Sequence, residues 1–224
     1  SGDFNRKALN LHHGVLITDA FMEAVRDGTT WDLVSPKSGE QRQTVDARGL
    51  FTKIVETRLA TGEPYIVFID HVNDHMPKHQ RDLGLKVSTS NLCSEITLPT
   101  GTDHLGKDRT AVCCLSSLNL EMWDDWSGDK RFIEDVMRFL DNVLTDYIDR
   151  APPEMERARY ASMRERSVGL GVMGLHSFFQ ARGLAFEGAM AKSWNMKIFR
   201  HIRAAVDEAS MQLAVERGPC PDAA

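Results

Sequence analysis

The sequence predicts an α/β fold whose second half is dominated by helices, and three observations lead there. A strand-like segment, a helical repeat and a continuous apolar run follow one another between residues 10 and 69. Two later stretches carry apolar residues at three- and four-residue spacing. The chain has 224 residues, 42% of them hydrophobic, enough for a core of ordinary size.

The first strand is expected over residues 10–17, where Leu11, Val15 and Ile17 supply the apolar positions, and Thr18-Asp19 then caps a short helix over residues 20–26. Ser35-Pro36-Lys37-Ser38-Gly39 reads as a loop. From Asp46, the residues Leu50, Ile54 and Leu59, flanked by Phe51 and Val55, recur at helical spacing until Gly62 stops them. Tyr65-Ile66-Val67-Phe68-Ile69 has strand length and no alternation, which predicts burial on both faces. A polar, irregular stretch over residues 70–90 follows. Residues 91–96 and 110–120 then read as extended.

Beyond them, Phe132, Val136, Leu140, Val143 and Tyr147 mark one core helix, and Trp194, Ile198, Ile202, Ala205, Ala209 and Leu213 mark another. Pro152-Pro153 can open a helix between the two, with Gly169, Gly171 and Gly174 in its apolar continuation, where close packing would explain the glycines.

Composition excludes several classes. The net charge of −5 is spread along the chain without a basic run, so direct nucleic-acid binding is not expected. No stretch approaches the roughly 18 to 20 apolar residues of a membrane span, and Ser1-Gly2-Asp3-Phe4-Asn5-Arg6-Lys7 lacks the apolar centre of a signal peptide, so a cytoplasmic protein is expected. Cys93, Cys113, Cys114 and Cys220 are too few and too clustered for a disulfide-stapled secreted domain, so their interest is chemical. A chain that opens at Ser1 and stops after a helical pattern is expected to be a segment of something longer.

The chemistry concentrates in Asn91-Leu92-Cys93-Ser94-Glu95. If this segment is extended, Asn91, Cys93 and Glu95 share a face, with neighbours roughly 6 to 7 Å apart, a spacing that fits one sugar-sized substrate. On spacing alone the trio also describes a half-buried strand with polar residues outward and Cys93 as a small hydrophobe.

Ser90-Asn91-Leu92-Cys93-Ser94-Glu95-Ile96-Thr97-Leu98-Pro99-Thr100 resembles the finger loop of class I ribonucleotide reductase large subunits. Ala111-Val112-Cys113-Cys114-Leu115-Ser116-Ser117-Leu118-Asn119-Leu120 is similar to the segment of that family that carries a redox cysteine. Upstream, Leu50-Phe51, Thr61-Gly62-Glu63-Pro64-Tyr65-Ile66 and Asp70-His71-Val72-Asn73 look like the helix and strand before the finger loop. Downstream, Arg166-Ser167-Val168-Gly169-Leu170-Gly171-Val172-Met173-Gly174-Leu175 resembles a glycine-bearing helix of the same barrel. The order agrees along essentially the whole chain.

The resemblance implies one incomplete catalytic domain over residues 1–224, part of a ten-stranded α/β barrel with the finger loop near residues 88–100. It implies radical-based reduction of ribonucleoside diphosphates to deoxyribonucleoside diphosphates. Cys93 would be the thiyl radical that takes the 3′ hydrogen, Glu95 the base for the 3′-hydroxyl proton, and Asn91 the amide that orients both. Asn91, Leu92, Cys93, Glu95 and Leu115 would touch the substrate, and Cys113 would be half of the redox disulfide. Cys114 stands where a small hydroxyl residue is expected, which leaves open which thiol of the pair reacts; the register of Leu115-Ser116 favours Cys113.

The disulfide partner is expected upstream of Ser1, and the effector sites for ATP and deoxynucleotides outside this stretch, so the segment is not expected to turn over alone. No cofactor is expected on the segment itself. The implied partners are a metal-containing, radical-generating small subunit, thioredoxin or glutaredoxin as reductant, and a second large subunit.

Three rival readings come from the residues. His71 and His75, four apart, with His79 four further on, could serve a metal-dependent hydrolase. Val72 stands where a zinc protease needs Glu, however, and Pro77 interrupts the helix that would align the histidines. A simple thiol oxidoreductase lacks its Cys-x-x-Cys. A noncatalytic interaction module would expose the stripe from Ile198 to Leu213 together with Cys93, whereas the reductase would bury Cys93 beside Glu95 and Asn91.

Overall fold

The computed structural model describes residues 11–224, which divide into two compact units, one ending at Thr100 and one spanning Gly101–Ala224. In the first, β1 (Gly14–Ile17) pairs in parallel with β4 (Tyr65–Phe68), Gly14 opposite Tyr65. Parallel strands need a long crossover. Here it comprises α1 (Asp19–Asp27), a hairpin of β2 (Thr30–Val34) and β3 (Gln41–Asp46), and α2 (Ala47–Thr61).

Both helices follow the sequence reading. The Thr18 hydroxyl accepts from the Phe21 N–H and the Asp46 carboxylate from the Gly49 N–H, while Gly28 and Gly62 close the helices at φ 67° and 82°. Their apolar faces meet around Ile17, Phe21 and Ala47, with Trp31 edge-on to Phe21 at 5.2 Å.

Expectations in this unit are corrected at the first strand, at β4 and over residues 70–90, while the loop over residues 35–39 holds. The first strand begins at Gly14 rather than Asn10, which lies outside the described residues. The loop at residues 35–39 is the tip of the β2–β3 hairpin, whose polar outer positions (Gln41, Gln43) hid its strands from an apolar search. Only Val67 of β4 is buried and Phe68 is 42% exposed, so the strand is not covered on both faces; β1 is its one strand partner among the described residues. The stretch over residues 70–90 also contains two short helices, α3 (Ile69–Asp74) and α4 (Lys78–Asp82), separated at Pro77.

The second unit opens with a small hairpin, β5 (Gly101–Thr102) and β6 (Asp108–Arg109). β7 (Leu115–Asn119) then pairs in parallel with β8 (Gly169–Met173), Leu115 opposite Gly169. Their crossover carries α5 (Trp123–Trp126), α6 (Phe132–Arg150) and α7 (Glu156–Glu165). After β8 come α8 (Leu175–Ala181) and α9 (Ala189–Arg217).

The glycine-bearing segment is thus a strand, β8, and not the continuation of a helix. A Cβ at Gly169 would lie 2.5 Å from Leu115 Cδ2, so glycine permits the close approach of the two strands. Gly174 turns the chain into α8 at φ 76°. The α9 stripe is buried as expected, with Ile198, Ile202, Ala209 and Leu213 packed against Leu120, Trp123 and Phe178. On α6 the buried face is turned by about one position: Ile133, Met137, Leu140, Leu144 and Ile148 are buried, whereas Val143 is 43% exposed. The helix packs against α9 on one side and α7 on the other, which widens and shifts its covered arc.

Charge also sits inside this unit. The Arg109 guanidinium donates to Asp103 (2.9 Å) and to Asp222, Arg164 donates to Asp222, and the Tyr160 hydroxyl donates to Asp103 at 2.9 Å. The side chains of Arg109, Asp103 and Asp222 have almost no contact with solvent. Burial raises the Asp103 carboxyl, but hydrogen bonds from the Lys107 N–H, the Tyr160 hydroxyl and Arg109 outweigh it and hold the group well below the usual carboxylate range. Nearby, burial pushes the Glu165 carboxyl up to about 7, against the opposing pull of Arg109 and the Ser167 hydroxyl. Among the described residues no helix is long and apolar enough to cross a membrane.

Removing one member of a buried pair strands its partner's charge. Asp222→Ala is therefore expected to destabilise the second unit by about 3 kcal/mol, read from the urea midpoint; a change within error would show that the pairs contribute little. Glu165 acts in the opposite sense, because its raised folded-state value makes its contribution fullest below its ordinary 4.5 and lost as pH rises through about 7. Glu165→Gln should match the native chain near pH 4.5 and exceed it at pH 8, by at most about 3 kcal/mol. Equal stability at both pH values would contradict the origin assigned to the shift.

Candidate active site

The finger-loop segment is held at its base by side chains rather than by a sheet. Asn73, on α3, donates from its amide to the Val87 carbonyl (3.0 Å) and accepts the Val87 N–H (2.9 Å), the pair of bonds a neighbouring strand would supply. On the other side the Thr100 N–H donates to the Lys86 carbonyl at 3.0 Å, and the Ser88 and Thr100 hydroxyls meet at 2.5 Å. Met76, Leu85 and Val87 form a small apolar cluster beneath, and Pro99 is fully buried. Residues 88–100 therefore leave and return at one point.

At the centre of the segment the extended reading is replaced by a turn. The Ser94 N–H donates to the Asn91 carbonyl at 3.1 Å, and Ser94 adopts φ 67°. Asn91 reinforces the turn, its side-chain oxygen accepting the Ile96 N–H at 3.0 Å. A short residue with a hydroxyl tolerates the left-handed conformation at a cost of roughly 1–2 kcal/mol, which the two bonds offset. Strand alternation thus does not relate Asn91, Cys93 and Glu95.

The turn places Cys93 and Glu95 in solvent with Asn91 half-buried, which corrects the expectation of a buried thiol. Leu92, at the tip, is 54% exposed. The sequence reading missed Asn73, Ser88 and Thr100. Asn73 and Ser88 are small polar residues in the stretch read as irregular, Thr100 closes the finger-loop motif, and only tertiary pairing reveals their role.

In the second unit, Cys113 is exposed and Cys114 is half-buried. The Cys114 thiol donates to the Leu140 carbonyl of α6 at 3.5 Å, and its own carbonyl accepts the Gly169 N–H at 2.9 Å. Burial, with smaller contributions from Cys113 and Asp141, pushes the Cys114 thiol up from its ordinary value. Leu115, the first residue of β7, is half exposed beside Gly169.

The rival sites do not assemble. The Nδ1 of His75 contacts the His71 carbonyl at 2.8 Å, His71 faces Asp19, and His79 lies on the far side of Pro77 in α4. Among the described residues no three His, Cys, Asp or Glu side chains gather around a metal-sized point. The interaction module requires both an exposed Ile198–Leu213 stripe and an exposed Cys93; Cys93 is exposed, but the stripe is core.

Comparison with known proteins identifies the family of the chain. The family model described as ribonucleotide reductase, barrel domain, matches residues 1–222. A putative ribonucleoside-diphosphate reductase large subunit of Frog virus 3 is 48% identical across 99% of this chain and 39% of its own length. The large subunit of Trypanosoma brucei brucei is 31% identical over 98% of this chain and 28% of its own. Among solved structures, the Actinobacillus ureae class Id ribonucleotide reductase alpha subunit superposes with a TM-score of 0.77 at 31% identity, covering 94% of this chain and 37% of that one. This chain therefore spans about two fifths or less of the length of these relatives. The chain belongs to the ribonucleotide reductase barrel-domain family.

Proposed function

We propose that this chain is the catalytic stretch of a ribonucleoside-diphosphate reductase large subunit, contributing strands and the finger loop to a ten-stranded α/β barrel and acting as a single domain over residues 1–224. The reading is carried by one observation: in a chain of this family, Asn91, Cys93 and Glu95 sit on a tight turn whose ends are pinned at Val87 and Thr100. Such a turn presents a thiol at a fixed height above its base.

On this reading the Cys93 sulfur, once oxidised to a thiyl radical, removes the ribose 3′ hydrogen atom. Glu95 accepts the 3′-hydroxyl proton, and the 2′-hydroxyl leaves as water after protonation. Asn91 has spent its side-chain oxygen on Ile96, which leaves its amide hydrogens for the substrate. Two electrons come from Cys113 and a second cysteine outside this stretch, which end as a disulfide, and Cys93 returns the hydrogen atom to C3′. Leu92 and Leu115 supply apolar contact to the sugar and base.

The choice of Cys113 over Cys114 is supported by the bond that ties the Cys114 thiol to α6. The oxidising equivalent is supplied by a metal-containing small subunit, and the disulfide is reset by thioredoxin or glutaredoxin through thiol exchange. ATP and deoxynucleotide effectors, a second large subunit and a cytoplasmic setting complete the proposal.

Cys93→Ser in the full chain should abolish deoxynucleotide formation while leaving the unfolding midpoint unchanged, since the side chain is exposed. Measurable product above a mock preparation would sink the assignment. Cys113→Ser should behave differently. Multiple turnover should stop, while exchange of a 3′-tritium label from substrate persists; loss of both together would remove Cys113 from the reducing role.

A further inference from the structure

The vicinal pair Cys113-Cys114 sits at the start of β7, and Cys114 is fastened at two points, its thiol to the Leu140 carbonyl and its own carbonyl to the Gly169 N–H. Both anchors lead to one arginine. Arg166 lies three residues before Gly169, in a left-handed conformation (φ 44°) unusual for a long side chain. Its guanidinium reaches back to α6, donating from Nε to the Asp141 carboxylate (2.9 Å), and from Nη2 to the Asp141 carbonyl (3.1 Å) and the Thr145 hydroxyl (2.7 Å). Asp141 directly follows Leu140, and Arg217 of α9 grips its other carboxylate oxygen.

We propose that Asp141, clamped by Arg166 and Arg217, is a positioning residue for the redox cysteine: it locks the turn of α6 that holds the Cys114 thiol to the α7–β8 bend that holds the Cys114 carbonyl, so that Cys113 is the sulfur presented outward. The proposal rests on the reading of Cys113 as the reducing thiol and explains how a chain with two adjacent cysteines selects one. The charged groups facing Cys114 are few. Asp141 comes from α6 with Arg166 and Arg217 on its carboxylate, and Cys113 is on its own segment. The Asp141 charge opposes a thiolate at Cys114 and thereby adds to the steric selection.

The test is differential alkylation of the full chain with iodoacetamide across pH 6.5–9.5, with Cys113 and Cys114 quantified separately by mass spectrometry. The native chain should label Cys113 at least about tenfold faster near neutral pH. Asp141→Asn should lower that ratio several-fold and move Cys114 labelling to lower pH. Arg166→Lys, which keeps the charge but loses the fork, should lower the ratio by releasing the thiol. Serine at position 114 should leave Cys113 labelling unchanged.

Equal labelling of the two cysteines in the native chain would overturn the proposal. So would an unchanged ratio in Arg166→Lys with its melting curve intact, and that variant decides the matter if Asp141→Asn does not fold. Labelling is read without turnover, so loss of the ratio effect is distinguishable from failure of the reductase reading, which the product and tritium measurements address.

Discussion

Two parallel strand pairings govern this chain. Because a parallel partner cannot be reached through a tight turn, each pairing obliges the chain to make a long excursion and return in register. β1 reaches β4 through two helices and a hairpin, and β7 reaches β8 through α5, α6 and α7. The two adjacent cysteines lie immediately before β7, and the finger loop follows β4 after the two short helices α3 and α4. Their positions are consequences of the crossovers, and the rest of each unit serves to close them.

Closure in the second unit uses charge as well as apolar contact. Trp123, Phe178, Ile198 and Ile202 form the apolar centre, but the β5–β6 hairpin, α7 and the residues after α9 are joined by Arg109, Asp103, Arg164 and Asp222. Buried ion pairs of this kind add little net stability over apolar residues of equal volume, yet they tolerate only one arrangement of partners. Tyr160, which donates to Asp103 while Lys107 and Arg109 lie over its ring, ties α7 into the same arrangement. Asp141 plays the corresponding part between α6, α9 and the bend before β8.

What the sequence made legible was what local physics dictates. Thr18 announces α1 as a cap, the period from Asp46 announces α2 and Gly62 its end, and the period of Ile198, Ile202, Ala209 and Leu213 gives both the helix and its buried face. What it concealed depends on distant partners. β2 and β3 are polar on the outside and short, so no apolar run marks them. β8 contains glycines that a helical reading explains as packing and the structure explains as an approach to Leu115. The candidate site residues come from resemblance rather than geometry, for the strand drawn through Asn91, Cys93 and Glu95 is a turn. The hydrogen bond that reinforces it, from Ile96 to the Asn91 side chain, has no signature in residue spacing.

The side-chain amide of Asn73 has an implication for association between molecules. It saturates both backbone groups of Val87 without belonging to any ladder, so this stretch of extended chain offers no free donor and acceptor pair on that side for a foreign strand to join. Cys93 and Leu92 stand exposed side by side at the tip, where an apolar side chain in open solvent favours association. An amide imitation of a strand thus closes the edge at the base of the loop, at Val87, to pairing with another chain.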